Sequence, residues 1–324
     1  MQVYTIDHNA LPHLKDRVAC IGFFDGFHKG HQALVKTCKQ EAKKRGLLSA
    51  IITFDPDPWV LFHPTRVIEH ITPLEDKIEL AGHMGIDAFY ILKFTRDFAS
   101  LDTSQFHALL SNLHVKSLVC GFDFRYAIKN EGNTDTLLKQ DLFSVHVVDA
   151  ILDPIEKISS TRIETALKEG RVFDAAQMLG YGYSIEGIVE HGYHRGTSLL
   201  QIPTANLKLS REFIVPYGGV YAGLSHYKGA FYPTMINIGT NPTFKNKNMS
   251  IEAHLISFYG DLYGQTLRLF FINRIRPEQR FDGIDALKSQ LHHDIDETLS
   301  LLQKQTEVVE NTYRLWGLRT FSNA

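Results

Sequence analysis

The sequence predicts two domains in series: an α/β domain with a doubly wound parallel sheet, then an antiparallel β-barrel that ends in a helix. Three observations predict this. The chain has 324 residues, which is about two domains at roughly 150 residues each. Its first half alternates continuous apolar runs with helical patterns. Its second half carries many short alternating segments separated by turn residues.

Five apolar runs predict the strands of the first domain. They are rich in β-branched and aromatic residues and barely alternate, which is typical of strands buried on both faces of a parallel sheet. The runs are VACIGFF (18–24), SAIITF (49–54), AFYILKF (88–94), SLVCGFDF (117–124) and VHVVDAI (145–151). Between the first two, Leu34, Cys38 and Ala42 follow helical spacing, and Gly46 ends that helix as a C-cap.

The second half predicts the barrel. Its strand segments are SIEGIVEHG, TANLKL, GVYAGLSHY, AFYPTMINIG, IEAHLIS and LRLFFINRIR. From about Gly283 to Arg314, apolar residues recur at helical spacing, which predicts one final helix packed on the barrel (Leu287, Leu291, Ile295, Leu299, Leu302). The Gly- and Tyr-rich stretch MLGYGYSIEG separates the two patterns, so we place the domains at residues 1–180 and 181–324.

Composition excludes some classes of partner. The formal net charge is -2, so there is no global attraction for nucleic acid. No apolar stretch approaches the roughly 20 residues that span a bilayer, and the N-terminus does not resemble a secretory signal. Three widely spaced cysteines, Cys20, Cys38 and Cys120, predict reduced thiols. We therefore expect a cytoplasmic protein with no nucleic-acid or membrane partner; its oligomeric state stays open.

The most specific stretch is GFFDGFHKGHQAL (22–34), where the first strand passes to the first helix. Ligands of parallel α/β sheets bind at the carboxyl ends of strands, and a helix N-terminus there favours phosphate. Gly26 and Gly30 let the backbone approach a bulky anion. His28 and His31, three residues apart, are placed to donate hydrogen bonds to one phosphoryl group.

These residues resemble a known family. FFDGFHKGH closely resembles the G-x-F-D-G-x-H-x-G-H signature of the bacterial FAD synthetases, a branch of the H-x-G-H nucleotidyltransferases with a Rossmann-like fold. TFDPDP, LVCGFDFRYAIKNEG and ISSTRIETAL resemble further blocks of that family. IPTANL, GGVYAG, NIGTNPTF and EAHLISFYGDLYG resemble the riboflavin kinase module fused behind it. The resemblance covers essentially the whole chain.

For the first domain the resemblance implies adenylyl transfer: FMN and ATP give FAD and pyrophosphate. The FMN phosphate is mostly dianionic at neutral pH, so the attack needs no general base. His28 and His31 would serve the α-phosphate, and Mg²⁺ would bridge the phosphates. The remaining binding residues implied are Gly22, Phe24, Asp25, Gly26, Gly30, Asp123, Ser159, Ser160, Thr161 and Arg162.

Some of these residues have a second interpretation. Ser159, Ser160 and Thr161 offer groups to the β- and γ-phosphates and equally form an ordinary helix N-cap. Asp25 is either a ligand of the site or a structural turn residue. Asp123 orients the flavin or a metal, or serves a turn.

The first domain also departs from the family pattern. Phe23 stands where the family usually has Asn, and Ala127 where it has Gly. Glu164 replaces an arginine directed at the leaving pyrophosphate, and Arg162, two residues earlier, points elsewhere on a helix. We therefore expect an atypical grip on the triphosphate.

For the second domain the resemblance implies riboflavin phosphorylation. The ribityl hydroxyl is a neutral alcohol, so a carboxylate base is useful, and Glu252 occupies the matching position. Thr204 and Asn206 match the family's Mg²⁺ and ATP ligands. In the preceding loop, RGTSLLQIPTAN, Gln201 and Ile202 replace a glycine and an aromatic residue, which places the kinase activity in question.

Four functions follow. The leading one is an FMN adenylyltransferase with a riboflavin kinase-like second domain, acting on ATP and flavins with Mg²⁺. The first rival is the fully bifunctional riboflavin kinase and FAD synthetase. The second is a non-catalytic flavin-binding sensor, and the third is transfer of a different nucleotidyl group.

Overall fold

The computed structural model describes residues 1–62, 68–190, 202–240 and 249–317. The chain divides into two compact units. The first contains residues 1–68 and 72–159, and the second contains residues 69–71 and 160–324. No helix of the described ranges is long and apolar enough to cross a membrane.

A six-stranded parallel sheet forms the first unit, in the order β1–β4–β3–β2–β5–β6. The strands are β1 (Gln2–Ile6), β2 (Arg17–Ile21), β3 (Leu48–Asp55), β4 (Ala88–Lys93), β5 (Val115–Gly121) and β6 (Ser144–Val148). The parallel pairing and the five predicted strands are confirmed. The sequence did not reveal β1, because this edge strand is largely exposed and has no apolar run.

Helices connect and cover these strands. They are α1 (Lys29–Arg45), α2 (Pro58–Phe62), α3 (Leu74–His83), α4 (Arg96–Ala99), α5 (Thr103–Asn112) and α6 (Thr134–Leu138). Helix α1 ends at Gly46, whose φ of 65° forms the predicted left-handed C-cap. Its buried face includes Leu34, Cys38 and Ala42, as predicted. The three cysteines are free and buried.

The strand before the histidines is shorter than predicted. β2 ends at Ile21 rather than at Phe24. Gly22 still donates to the Ile52 carbonyl at 3.1 Å, but Phe24 turns to a φ of 56° and the chain leaves the sheet. The turn therefore occupies residues 22–28, of which the sequence had assigned the first three to the strand.

The second unit is a closed six-stranded barrel preceded by two helices, α7 (Ser160–Lys168) and α8 (Val172–Leu179). The order around the barrel is β10–β11–β8–β7–β12–β9, and every pairing is antiparallel. The strands are β7 (Tyr183–Glu190), β8 (Ala205–Leu209), β9 (Gly219–Tyr227), β10 (Ala230–Thr240), β11 (Met249–Leu255) and β12 (Thr266–Arg276). All six predicted strands and the barrel are confirmed.

The C-terminal helix is two helices rather than one: α9 (Ile284–Lys304) and α10 (Thr306–Leu315). The backbone breaks at Gln305, where φ is -103° and ψ is 38°. α9 packs on β9, β10 and β12, as predicted. Its most buried side chains are polar, however: Asp294 receives the Arg276 guanidinium at 2.7 Å, and the predicted apolar contact Leu299 is exposed.

Candidate functional site

Two phenylalanines hold the turn that carries the histidines. Phe24 and Phe27 are fully buried, and their rings stack at 5.3 Å between centroids. Both have positive φ, 56° and 44°, which is strained for a residue with a large side chain. Phe24 also packs against the His31 ring at 5.1 Å. The apolar burial of these rings therefore holds a strained backbone directly beneath the imidazoles.

His28 is the N-cap of α1. Its Nδ1 accepts a hydrogen bond from the His31 backbone N–H at 3.3 Å. The neutral ring must then carry its proton on Nε2, which leaves that atom as a donor. The His28 and His31 rings stack at 3.7 Å with an interplanar angle of 18°. The structure thus brings the two predicted residues side by side.

Both imidazoles are neutral at pH 7. Burial and, to a smaller extent, the charge of Lys157 lower the pKa of His28 to about 4. Burial lowers the pKa of His31 well below its usual value, assisted by coupling to the adjacent His28 ring and by the charges of Lys77 and Lys157. Each ring therefore acts as a neutral hydrogen-bond donor, and the positive charge of the site comes from other residues.

Two lysines that sequence reasoning missed lie beside this turn and the strand ends near it. Lys77 of α3 is buried, and its ammonium lies 3.5 Å from the centroid of the Phe23 ring. Its signal in the sequence was helical spacing, because Lys77 shares a face with Leu80 and Ala81. Lys157 pairs with the predicted residue Asp123 and lies 4.9 Å from the Phe122 ring centroid.

The glycines and aspartate of the turn have distinct geometric roles. Gly26 has a φ of 87°, which favours glycine. A Cβ on Gly30 would lie 2.9 Å from the His28 ring, so Gly30 makes room for the capping imidazole. A Cβ on Gly22, by contrast, would make only an ordinary van der Waals contact with the Phe24 ring, at 3.4 Å. Asp25 accepts the Thr72 backbone N–H at 2.9 Å, which joins the turn to the start of α3.

The predicted phosphate-binding segment spans the division between the units. Ser159 ends the first unit, and α7 begins at Ser160, so Ser159 stands at the N-cap position. Contacts of Ser159, Ser160, Thr161 and Arg162 with a triphosphate stay predictions. Glu164 forms an ion pair with Lys168 at 2.5 Å within the second unit.

A polar row crosses the barrel at the second predicted site. Asn206 of β8 is directly opposite Glu252 of β11, and Glu252 is opposite Asn237 of β10. Opposite residues in an antiparallel pair place their side chains on one face about 5 Å apart. Ile251 and Ala253 are buried on the other face of β11. The register thus brings the predicted Asn206 and Glu252 together and adds Asn237, which the motif NIGTNPTF contained without an assigned role.

Thr204 joins this polar row because its side chain is hydrogen-bonded to Glu252. Burial raises the pKa of Glu252, and a hydrogen bond with the Thr204 side chain opposes that shift. His254 Nδ1 lies 2.8 Å from the Pro203 carbonyl, which fixes the segment that carries Thr204. Ile202 is buried. The predictions about Gln201 and the rest of the loop at 191–201 lie outside the described residues.

Comparison with known proteins agrees with this two-site arrangement. The family model for FAD synthetase matches residues 11–162, and the model for riboflavin kinase matches residues 179–302. The bifunctional riboflavin kinase/FMN adenylyltransferase of Listeria monocytogenes is 38% identical over 294 residues, which are 89% of this chain and 93% of that protein. The chain belongs to the bifunctional riboflavin kinase/FMN adenylyltransferase family.

Other members of this family are similar over the same length. The Bacillus subtilis protein of the same description is 39% identical, over 87% of this chain and 91% of its own. The Escherichia coli K12 protein is 34% identical, over 86% and 90%. A crystal structure described as a macrolide-efflux protein from Streptococcus pneumoniae superposes with a TM-score of 0.86 at 31% identity, covering 92% of this chain and 99% of that one.

Gly30→Ala is expected to separate activity from stability. The new methyl group displaces the His28 ring from its cap, so FAD formation from FMN falls by about tenfold or more. Loss of the cap and gain of helix propensity are each about 1 kcal/mol and oppose each other in unfolding. Gly82→Ala, also within a helix, is the matched control, since the new Cβ would lie only in ordinary contact with the Met1 side chain at 3.8 Å. Equal activity of the two variants would contradict the assigned role of Gly30.

His28→Asn is expected to reduce the loss of unfolding free energy that the wild type shows as the pH falls below 6.5. Above pH 6.5 neither state of the protein protonates His28. Between pH 6.5 and about 4 only the unfolded chain takes up that proton, so the free energy of unfolding falls by about 3 kcal/mol as the pH falls. Asn keeps the cap and does not titrate. Denaturant unfolding at several pH values gives the free energy of unfolding of the wild type and of the variant. If the two free energies changed in parallel with pH, a buried neutral His28 would be refuted.

Proposed function

We propose that the chain carries out two consecutive reactions: riboflavin and ATP give FMN in the barrel unit, and FMN and ATP give FAD in the parallel-sheet unit. The observation that carries this proposal is the assembly of both predicted sets of side chains. His28 and His31 stack at a helix N-terminus, and Thr204, Asn206 and Glu252 meet on one face of the barrel. We propose residues 1–180 and 181–324 as the corresponding functional domains.

In the adenylyl transfer, an oxygen of the FMN phosphate attacks the α-phosphorus of ATP and the bond to the β-phosphate oxygen breaks. Pyrophosphate leaves, and no proton has to be removed because the FMN phosphate is already dianionic. His28 Nε2 and the neutral His31 donate hydrogen bonds to the α-phosphate oxygens, where charge builds. The N-terminus of α1 adds its partial positive charge.

In the kinase reaction, the ribityl hydroxyl attacks the γ-phosphorus, ADP leaves, and Glu252 takes the hydroxyl proton. The raised pKa of Glu252 makes it a stronger base than an exposed carboxylate. The hydroxyl of Thr204 and the amide oxygen of Asn206 fit Mg²⁺, which uses few protein oxygens and completes its shell with phosphates and water. When bound there, Mg²⁺ would neutralise charge on the phosphates.

ATP and flavins are the proposed partners, and the cytoplasm is the proposed location. Mg²⁺ is the proposed cofactor of both reactions. Among the described residues there is no group of three or more His, Cys, Asp or Glu placed to hold a metal ion.

His31→Asn is expected to lower FAD formation by about 10²- to 10³-fold, because one donor to the α-phosphate is lost. Chromatographic measurement of FAD from FMN, ATP and Mg²⁺ checks this. His114→Asn is the matched control: this exposed histidine has a φ of 59°, which Asn tolerates. FMN binding by the wild type without any turnover would favour the flavin sensor instead.

Glu252→Gln is expected to lower FMN formation from riboflavin by about 10²-fold or more and to leave FAD formation from FMN unchanged. The amide keeps the hydrogen bond with Thr204 but accepts no proton. Glu310→Gln, at an exposed position of α10, is the control. A wild-type protein that makes FAD but no FMN would show that the barrel only binds flavin.

A further inference from the structure

One cation of the first unit has an unusual position. Lys77 is 3% exposed, whereas lysine side chains in proteins are almost never fully buried. Its ammonium lies over the face of Phe23, 3.5 Å from the ring centroid, which is a close cation–π contact. Phe23 belongs to the turn that carries the two histidines and departs there from the family signature. The ring of Phe23, in the histidine turn, therefore positions the buried ammonium of Lys77.

The charges around Lys77 keep it protonated at neutral pH. Burial lowers the pKa of Lys77 to about 8, and the carboxylates of Asp25, Asp55 and Asp57 oppose that shift. The titratable groups that act on Lys77 or respond to it are these three aspartates and His31, whose pKa its charge lowers. The cation thus lies close enough to His31 to influence its ring, and its charge adds to the burial that lowers the pKa of that ring.

The adenylyl transfer needs such a cation. Neutral His28 and His31 donate hydrogen bonds but carry no charge that balances the polyphosphate. Glu164, at the position of an expected arginine, is an anion paired with Lys168. Lys157 is exposed and paired with Asp123. Lys77 is the buried cation of the described residues around the histidine turn.

We propose that Lys77, held on the ring of Phe23, is an anion-binding residue of the adenylyl-transfer site and supplies positive charge to the nucleotide polyphosphate beside His31. This inference rests on the proposed function of the first unit. A structural role, in which Lys77 only neutralises the three aspartates, makes different predictions for stability and activity.

Four variants of the full chain test the proposal: Lys77→Met, Lys77→Arg, Phe23→Leu and the double variant Phe23→Leu/Lys77→Met. We expect Lys77→Met to lower kcat/KM for ATP in FAD formation by about 100-fold or more. The midpoint of thermal unfolding stays equal or rises, because a desolvated charge is removed. Riboflavin phosphorylation in the second unit stays unchanged. Lys44→Met, at an exposed position of α1, is the matched control.

The ring contact is tested by a double-mutant cycle. Phe23→Leu keeps apolar volume but removes the π face, so FAD formation falls by about tenfold. In the double variant the loss equals that of Lys77→Met alone, because the ring acts through the lysine. Lys77→Arg retains part of the activity, since a guanidinium also binds phosphate and stacks on a ring.

The pH dependence of kcat/KM for ATP distinguishes a nucleotide-binding role of Lys77 from a purely structural one. In the wild type kcat/KM for ATP falls above pH 8, because Lys77 loses its proton there in the enzyme without bound nucleotide. In Lys77→Arg this alkaline limb disappears, because the pKa of arginine exceeds 12.

Three results would overturn the inference: Lys77→Met activity within threefold of the wild type, an alkaline limb that persists in Lys77→Arg, or joint loss of thermal stability and both activities in Lys77→Met. A wild type without FAD formation would instead overturn the proposed function itself.

Discussion

The hydrogen bond from the His31 backbone to His28 Nδ1 is the interaction on which the first site depends. It starts helix α1, fixes the tautomer of His28 and places its ring against that of His31. Gly30 must lack a Cβ for the same ring to fit. Local helix capping and phosphate recognition therefore use one imidazole, so the geometry of the site follows from how the helix begins.

The site contains several features that lower the stability of the folded state. The buried ammonium of Lys77 disfavours the folded state, the buried imidazole of His28 does so only below pH 6.5, and positive φ at Phe24 and Phe27 costs about 1–3 kcal/mol per residue. The fully buried rings of those two phenylalanines and the apolar strands beside them offset these terms. The strain and the perturbed pKa values cluster at the same turn, as they do at functional sites.

The periodicity of the sequence was enough for most of the architecture. Buried parallel strands and alternating barrel strands differ in pattern, so eleven of the twelve strands in the described ranges were predicted, and the histidine turn marked the site. Exposed β1 has no such pattern. Lys77 and Phe23 meet only through tertiary packing, and Asn237 reaches Glu252 only through strand register. The burial of Asp294 depends on its tertiary partner Arg276.

The most direct test of the account is long-range ¹H–¹⁵N NMR of the histidine rings in the full-length protein at pH 7, with and without ATP and Mg²⁺. The account predicts that His28 is neutral with its proton on Nε2, and that nucleotide shifts the ring nitrogens of both His28 and His31. A charged His28, a proton on its Nδ1, or rings that do not respond to ATP would contradict it.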